Sequence, residues 1–297
     1  MTDLRLAAVA AVLALSSPPA QALSVHPTAD PAALAGVLVG SGITILPGST
    51  RYSGAEGAAG TFTGGLSSGI GIERGILLTT GLAELAVGPN DNSSEGLDHG
   101  DDAGDSDLTG LAGYPTFDAA ALEFDFESAG GDLYFNYVFA SEEYNEYSNS
   151  QFNDLFAFFL DGRNLALLPG TDTPVGVNTV NRGNPTIGTP PANPQYFVDN
   201  EDTLDDEGNW LAPRFDLEYD GFTVVLTAQA LGLAPGSHRI RLAIADASDG
   251  AFDSAVFLQA STFSDTATQA AAPEPGTLTL LGSGLGLLAA RLSRGRA

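Results

Sequence analysis

Alternation of apolar and polar side chains is the feature that most restricts this chain. Residues 121–126 read Ala-Leu-Glu-Phe-Asp-Phe, and residues 133–139 carry large apolar side chains at every second position. A period of two is typical of a strand with one buried face. Short apolar runs bounded by turn residues predict further strands at 43–45, 75–78, 155–160, 165–168, 222–230, 238–246 and 256–263. The pattern predicts a mainly β protein, an antiparallel β-sandwich or jelly roll in a single domain.

Turn and cap residues indicate how these strands are connected. Residues 28–40 predict a short N-terminal helix that Asp30 caps. The segment at 161–164, Asp-Gly-Arg-Asn, predicts one hairpin, and residues 233–237 predict a second hairpin between 222–230 and 238–246. The stretch from 170 to 220 is rich in proline, asparagine and aspartate, which favours a long surface loop.

The N-terminal segment has the layout of a secretory signal peptide. Arg5 precedes an apolar core at 6–15, and Ala20-Gln21-Ala22 offers a small-x-small cleavage site. We expect signal peptidase to cut after Ala22, so that residues 1–22 are removed and a β domain at 23–266 follows. The predicted site of action is therefore outside the cytoplasm.

The C-terminal tail combines three elements that follow a short linker at 267–272. They are a Pro-Glu-Pro motif, an apolar run and an arginine cluster: Pro273, Glu274, Pro275, residues 277–290, Arg291, Arg294 and Arg296. The apolar run is shorter than the ~20 residues that span a bilayer comfortably, and the arginines favour the cytoplasmic side. The tail, residues 273–297, resembles the PEP-CTERM sorting signal that exosortases recognise in Gram-negative bacteria. A plain single-pass anchor is the alternative.

This tail predicts export through the inner membrane and processing by an exosortase. After the C-terminal cut we expect the protein at the cell surface or in the extracellular matrix of a Gram-negative envelope. Contact with the membrane is expected only through the C-terminal segment.

The charge balance excludes several classes of partner. The chain has 37 acidic residues against 11 basic ones, all arginine, and a net charge of −26. Such a body repels phosphates, so nucleic-acid binding is not expected, and cations are its natural partners. The sequence contains no cysteine, which excludes thiolate metal sites and disulfides.

A first acidic group lies between residues 91 and 107 with no basic residue among its members. They are Asp91, Glu95, Asp98, Asp101, Asp102, Asp105 and Asp107. Carboxylates this close repel one another, and a hard cation such as Ca²⁺ relieves the repulsion while ordering the loop. The group is therefore a candidate calcium site, and a solvated acidic loop is the alternative.

A second group follows the strand at 133–140. It consists of Glu142, Glu143, Glu146, Asn153 and Asp154. These residues are candidates for cation ligands, while turn and cap roles are the alternative. Tyr144 and Tyr147 beside them are suited to stacking on sugar rings, so binding to an extracellular polysaccharide is a further hypothesis. Paired carboxylates also suit a carbohydrate-active hydrolase, which is the alternative function. A third loop, with Asp246, Asp249 and Asp253, is interpreted as turn capping.

Several sequence blocks together resemble the choice-of-anchor L domain. They are Phe62-Thr63-Gly64-Gly65, residues 75–81 (Gly-Ile-Leu-Leu-Thr-Thr-Gly), residues 139–147 (Phe-Ala-Ser-Glu-Glu-Tyr-Asn-Glu-Tyr), residues 156–162 and residues 253–258. The resemblance covers roughly 34 to 263 and implies a surface location without enzymatic activity. We therefore expect an exported, non-catalytic surface protein that binds Ca²⁺ and contacts exopolysaccharide.

Overall fold

The computed structural model describes residues 22–99, 104–201 and 215–268. Within them the strands are β1 (Ser24–Pro27), β2 (Ile43–Ile45), β3 (Arg51–Ser53), β4 (Ala59–Thr63), β5 (Arg74–Thr79), β6 (Thr116–Ser128), β7 (Gly131–Ser141), β8 (Leu155–Leu160), β9 (Arg163–Asn164), β10 (Phe197–Asp199), β11 (Gly221–Thr223), β12 (Leu226–Leu233), β13 (Gly236–Ala247) and β14 (Ser254–Gln259). The α-helices are α1 (Pro31–Leu38), α2 (Gly65–Ser68) and α3 (Ser106–Ala112). The predicted mainly β class is confirmed.

The strands form two antiparallel sheets. Sheet I has the order β1-β4-β5-β14-β7-β11-β10, and β12 pairs with the remaining length of β7. Sheet II has the order β2-β6-β13-β8-β9, and β3 also pairs with β6. Their inner faces share one apolar core, so the architecture is the predicted β-sandwich.

The core between the sheets is rich in aromatic side chains. Phe158 of β8 lies edge-on to Phe135 of β7, with ring centroids 4.1 Å apart. Phe263 follows β14 and packs edge-on against Phe124 and Phe126 of β6, at 5.4 and 5.0 Å. These contacts join strands of both sheets and hold the two layers in register.

The outer faces are covered as well, that of sheet II only in part. The outer face of sheet I carries Val138 and Phe257, which pack against Ile72, Leu217 and other residues of the covering segments. One end of the outer face of sheet II is covered by α3, whose Leu108 is fully buried, whereas Glu127 and Arg239 on the same face are exposed. Because both faces of β7 and β14 are buried, a polar side chain on either face is removed from water.

The predicted N-terminal helix is confirmed as α1. The Asp30 carboxylate accepts hydrogen bonds from the backbone N–H groups of Ala32 and Ala33, at 3.0 and 3.3 Å. Leu34 and Leu38 point into the core. The strands β1, β3, β4 and β10 were not predicted. Of these, β1 precedes the helix and pairs with β4.

The predicted second hairpin is wrong. β12 pairs with β7 in sheet I, whereas β13 pairs with β6 and β8 in sheet II. The connection between them therefore crosses from one sheet to the other. Alternation identifies the buried face of a strand but does not identify its hydrogen-bonding partner. The first hairpin is confirmed, because β8 and β9 pair across Asp161-Gly162, but residues 165–168 form no strand.

The surface-loop prediction for residues 170–220 is also wrong in part. Val175, Val177 and Val180 are fully buried in the main core. The segment also supplies β10, which extends the edge of sheet I. Asparagine amides satisfy its backbone, as where Asn181 donates to the Val177 carbonyl at 2.9 Å. Polar composition predicted exposure, but side-chain to backbone hydrogen bonds let such a segment be buried.

Both predicted targeting segments lie outside the described residues. These are the signal peptide predicted at 1–22, of which only Ala22 is described, and the tail predicted at 273–297 with its Pro-Glu-Pro motif and arginine cluster. In the ranges that the structure describes, no helix is long and apolar enough to cross a membrane.

Candidate functional site

Buried carboxylates gather at one end of the sandwich, where β7 ends beside the start of β14. Ser141 pairs with Ser254, and the Glu142 N–H donates to the Asp253 carbonyl at 3.0 Å. Successive side chains of a strand point to opposite faces. The serines therefore point into the space between the sheets, and Glu142 and Asp253 point to the outer face of sheet I.

This alternation separates the carboxylates into two clusters. We call Glu142, Glu218, Asp220 and Asp253 the outer cluster and Glu143, Asp154 and Asp246 the inner cluster. Each of these side chains exposes 6% or less of its surface. Ionised carboxylates are almost never buried to this extent without a partner.

In the outer cluster, Glu142 lacks any hydrogen-bond partner. Both of its carboxylate oxygens are buried and unpaired. Asp220 accepts from the Asn90 amide at 2.7 Å through Oδ1, and Asp253 accepts from the Leu97 N–H at 3.0 Å through Oδ1. The Oδ2 atoms of both aspartates have no partner. With Oε1 of Glu218, the cluster thus holds five buried carboxylate oxygens that accept no hydrogen bond.

Burial and mutual repulsion oppose ionisation of the outer cluster. Burial, together with repulsion from Asp220, Glu218 and Asp253, raises the pKa of Glu142 to about 11. Burial also raises the pKa of Asp220 to about 8 and those of Glu218 and Asp253 to about 7. Among the described residues no arginine forms an ion pair with these groups. A proton or a cation must therefore neutralise part of this charge.

Because Gly81 has no side chain, the Asp253 carboxylate of the outer cluster can pack against its backbone. A Cβ at this position would collide with the carboxylate of Asp253. His99 Nε2 donates to the Gly81 carbonyl oxygen, 3.2 Å away. Backbone thus packs directly against the carboxylate.

In the inner cluster, one carboxylate is well bonded and its neighbour is not. Asp154 accepts from the Ala247 N–H at 2.9 Å and from the Ser254 hydroxyl at 2.7 Å. Both oxygens of Asp246 are buried without a donor in good hydrogen-bonding geometry, although the Thr80 hydroxyl acts on this carboxyl, and Oε2 of Glu143 is likewise buried and unpaired. The hydroxyls of Ser141 and Ser254 lie 2.9 Å apart beside them.

The inner carboxylates also resist ionisation. Burial raises the pKa of Glu143 to about 10 and that of Asp154 to about 7, with Asp249 adding repulsion to both. Burial raises the pKa of Asp246 well above its usual range, and its neighbours Asp154 and Asp253 raise it further. Two adjacent anions are stable here only with a bridging proton or cation.

The structure places the first predicted group differently from its expected arrangement. Asp105 caps α3 by accepting from the Asp107 and Leu108 N–H groups at 2.9 and 3.0 Å, and it forms an ion pair with Arg241. Asp107 is exposed and lies 3.6 Å from the same guanidinium. Both residues therefore already have structural partners within the fold. The sequence could not show this, because Arg241 comes from the distant strand β13.

The rest of the first group divides between solvent and the outer cluster. Asp91 and Asp98 are exposed, and Asp101 and Asp102 lie outside the described residues. Glu95 is half-buried, and its carbonyl accepts from the Asp253 N–H at 3.3 Å. The loop therefore contributes to the site chiefly through Glu95.

The second predicted group is divided by the sheet. Glu142 lies in the outer cluster, whereas Glu143 and Asp154 lie in the inner one. Glu146 is exposed. Asn153 accepts from the Asn178 N–H at 2.9 Å, so its carbonyl oxygen is occupied in a turn. The group at 142–154, which the sequence suggested as a single site, is therefore divided between the two faces of sheet I.

The tyrosines beside this group do not form the expected platform for sugar rings. Tyr144 is fully buried and packs edge-on against Phe197 at 4.8 Å. Tyr147 is half-buried between Phe152 and Phe252. The apolar surroundings of both rings explain their presence without a ligand.

Four members of the clusters were missed as site residues. Glu218 and Asp220 lie in the segment predicted as a surface loop, and Asp246 and Asp253 were interpreted as turn caps. A signal for the first pair exists, since Leu217 and Tyr219 alternate with them directly before β11. The two apolar side chains are buried, and so are the two acidic ones.

The donor set is made of oxygen alone. In the described ranges no three acidic or histidine side chains already form a ready-made set of metal ligands. The carboxylates instead face one another in pairs, beside serine hydroxyls and backbone carbonyls. Such a set can hold protons or hard cations.

The comparison with protein families identifies the domain. The model of the choice-of-anchor L domain matches residues 26–264. The chain belongs to this family. The match spans β2 to β14 and includes both acidic clusters. Neither a curated protein nor a solved structure matches the chain.

Membership of the choice-of-anchor L family indicates a surface-anchored, non-catalytic protein. The burial of the carboxylates agrees with the absence of catalysis that the family indicates. Glu142, Glu143 and Asp154 each expose 1% of their surface, whereas a glycoside hydrolase presents its acid and base to a substrate. The hydrolase alternative therefore loses the residues on which it depended.

Proposed function

We propose that this domain is displayed outside the cell and that Ca²⁺ binding at the outer cluster stabilises its folded form. The observation that carries the proposal is Glu142, whose two oxygens are buried without a partner beside Asp220 and Asp253. An unpaired buried carboxylate is strongly destabilising by itself. A divalent cation converts it into a stabilising ligand.

The chemistry of the outer cluster favours Ca²⁺ over other metals. Its donors are carboxylates, an amide and backbone carbonyls, which are the hard oxygen ligands that Ca²⁺ takes six to eight at a time. Zinc and copper sites depend on cysteine or on several histidines. Glu142, Asp220 and Asp253 would supply the side-chain ligands, and the charge of Glu95 acts on the same carboxylates. Water and backbone oxygens would complete the shell.

Thermal unfolding of the full chain, with Ca²⁺ and with a chelator, tests the proposal. At a hundredfold excess over the dissociation constant we expect Ca²⁺ to stabilise the fold by about 2.7 kcal/mol. For a domain of this size that is an increase in Tm of about 5–10 °C. Equal concentrations of Mg²⁺ should have a smaller effect, because Mg²⁺ demands stricter octahedral geometry. Unchanged Tm at millimolar Ca²⁺ would refute the proposal.

We further propose that export and sorting follow the terminal segments. The signal peptide at 1–22 and the tail at 273–297 support this, together with the surface location that the family indicates. Signal peptidase and an exosortase would be the processing partners. An exopolysaccharide partner stays a prediction from the sequence.

The intact mass of the protein recovered from its natural host tests the sorting proposal. We expect a species that begins after Ala22 and ends near Pro273-Glu274-Pro275. In a Glu274→Ala variant, the C-terminal tail should be retained because the recognition motif is damaged. A Glu127→Gln variant, altered on an exposed strand position, serves as the control and should be processed normally. Identical masses for the wild type and Glu274→Ala would contradict the proposal.

A further inference from the structure

We propose that the inner cluster is a second cation site, separate from the outer one, in which Asp246, Asp154 and Glu143 bind a hard divalent cation such as Ca²⁺ between the two sheets. This inference rests on the proposed function, since it extends calcium binding to a second position. Asp246 was predicted to be a turn residue, but it is buried near the end of β13.

The buried side chain of Asp246 points to a ligand. It is 1% exposed, and although the Thr80 hydroxyl acts on it, neither carboxylate oxygen has a donor in good hydrogen-bonding geometry. Asp154, its immediate neighbour, has a donor on each oxygen, from Ala247 and Ser254. Asp154 is therefore held in a fixed orientation, facing a second buried carboxyl group. A cation between them supplies the missing charge.

Further oxygen atoms surround this pair. Glu143 approaches Asp154 and keeps Oε2 buried and free. The hydroxyls of Ser141 and Ser254 lie 2.9 Å apart on the same side. Carboxylates and hydroxyls together form the kind of oxygen-rich shell that hard cations require. No arginine of the described chain forms an ion pair with the three carboxylates.

The position of the inner cluster gives the cation a structural role. Asp246 belongs to β13 of sheet II, and Asp154 lies directly before β8 of the same sheet. The serines belong to β7 and β14 of sheet I. A cation here would tie the two sheets together at the end where their apolar core stops. The outer cluster cannot do this, because it lies on the opposite face of sheet I.

Counting bound ions by native mass spectrometry tests the inference on the full chain. We expect two Ca²⁺ in the wild type, one in Asp246→Asn and one in Glu142→Gln. Asp172→Asn, at an exposed position, is the matched control and should keep two. An Asp246→Asn count equal to the wild type overturns the inner site. An unchanged count in Glu142→Gln together with a lowered count in Asp246→Asn overturns the outer site alone, so the two failures are distinguishable.

A measurement on the wild type decides the question if Asp246→Asn fails to fold. Crystals grown with Tb³⁺ as a calcium substitute should give an anomalous peak between Asp154 and Asp246. A shared proton is the competing arrangement, and it would leave no peak there even when the outer cluster shows one. That result would overturn the inner site.

Discussion

Without divalent cations, the domain is expected to lose stability steeply as the pH rises from about 6 to about 8. Glu142 and Glu143 are both buried, and their folded-state pKa values of about 11 and about 10 keep them protonated over this range. In the unfolded chain the same groups ionise near their ordinary pKa values of about 4.3. The folded state therefore holds protons that the unfolded state releases.

The sign follows from proton linkage. When the folded state binds more protons, the free energy of unfolding falls as the pH rises, by about 1.4 kcal/mol per pH unit for each group. Two such groups over two pH units lower the free energy of unfolding by about 5 kcal/mol. This loss in the free energy of unfolding is absent near pH 4. It grows with pH until the folded-state pKa of each group is reached. Asp220, with a pKa of about 8, adds to the loss over most of this range.

Urea unfolding of the chelated chain at a series of pH values measures this effect. With saturating Ca²⁺ the dependence should flatten or reverse, because ligation holds the carboxylates in their ionised form and metal binding then releases protons. A chelated domain whose stability is constant between about pH 6 and 8 would show that these carboxylates are not protonated when folded.

The Glu142→Gln substitution is expected to change stability in opposite directions with and without calcium. In chelator at pH 7, removing the ionisable group relieves up to about 4 kcal/mol of linkage penalty. The new amide leaves buried polar atoms unpaired at a cost of about 1–2 kcal/mol, so we expect a net gain of about 2–3 kcal/mol. In Ca²⁺ the variant should lose most of the ligand-induced stabilisation of the wild type.

The two unfolding curves should therefore cross as calcium is added. Glu127→Gln makes the same chemical change at an exposed position of β6 and should leave both curves unchanged. If Glu142→Gln were less stable than the wild type in chelator and kept the full response to Ca²⁺, Glu142 would be a structural acceptor and not a ligand.

Local patterns predicted much of the fold. The alternation in β6 and β7 is strong because each strand places large apolar side chains on the core face. The α1 cap was predicted since Asp30 bonds to residues two and three positions ahead, which is a local interaction. Strand pairing was predicted less well, and β12 and β13 belong to different sheets although they are close in sequence.

The candidate site, like the fold, was predicted where local sequence determines it and missed where distant residues do. Glu142, Glu143 and Asp154 were identified as candidates from their place after a strong strand. Glu218 and Asp220 were not, since their neighbours predict an exposed loop. Asp105 was assigned to a metal site because its ion-pair partner, Arg241, is remote in sequence. Local charge density indicated where acidic groups occur but not which of them are neutralised by the fold.

By itself, the sequence determined the β class, the excess of negative charge and the blocks that mark the choice-of-anchor L family. All of these depend on composition or on neighbours within a few residues. Only the tertiary structure decided which carboxylates meet. Pairing of β7 with β14 brings Glu142 beside Asp253, and the pleat of the same strands directs Ser141 and Ser254 to the opposite face, toward Asp154. One acidic end therefore becomes two clusters, because consecutive residues of a strand point in opposite directions.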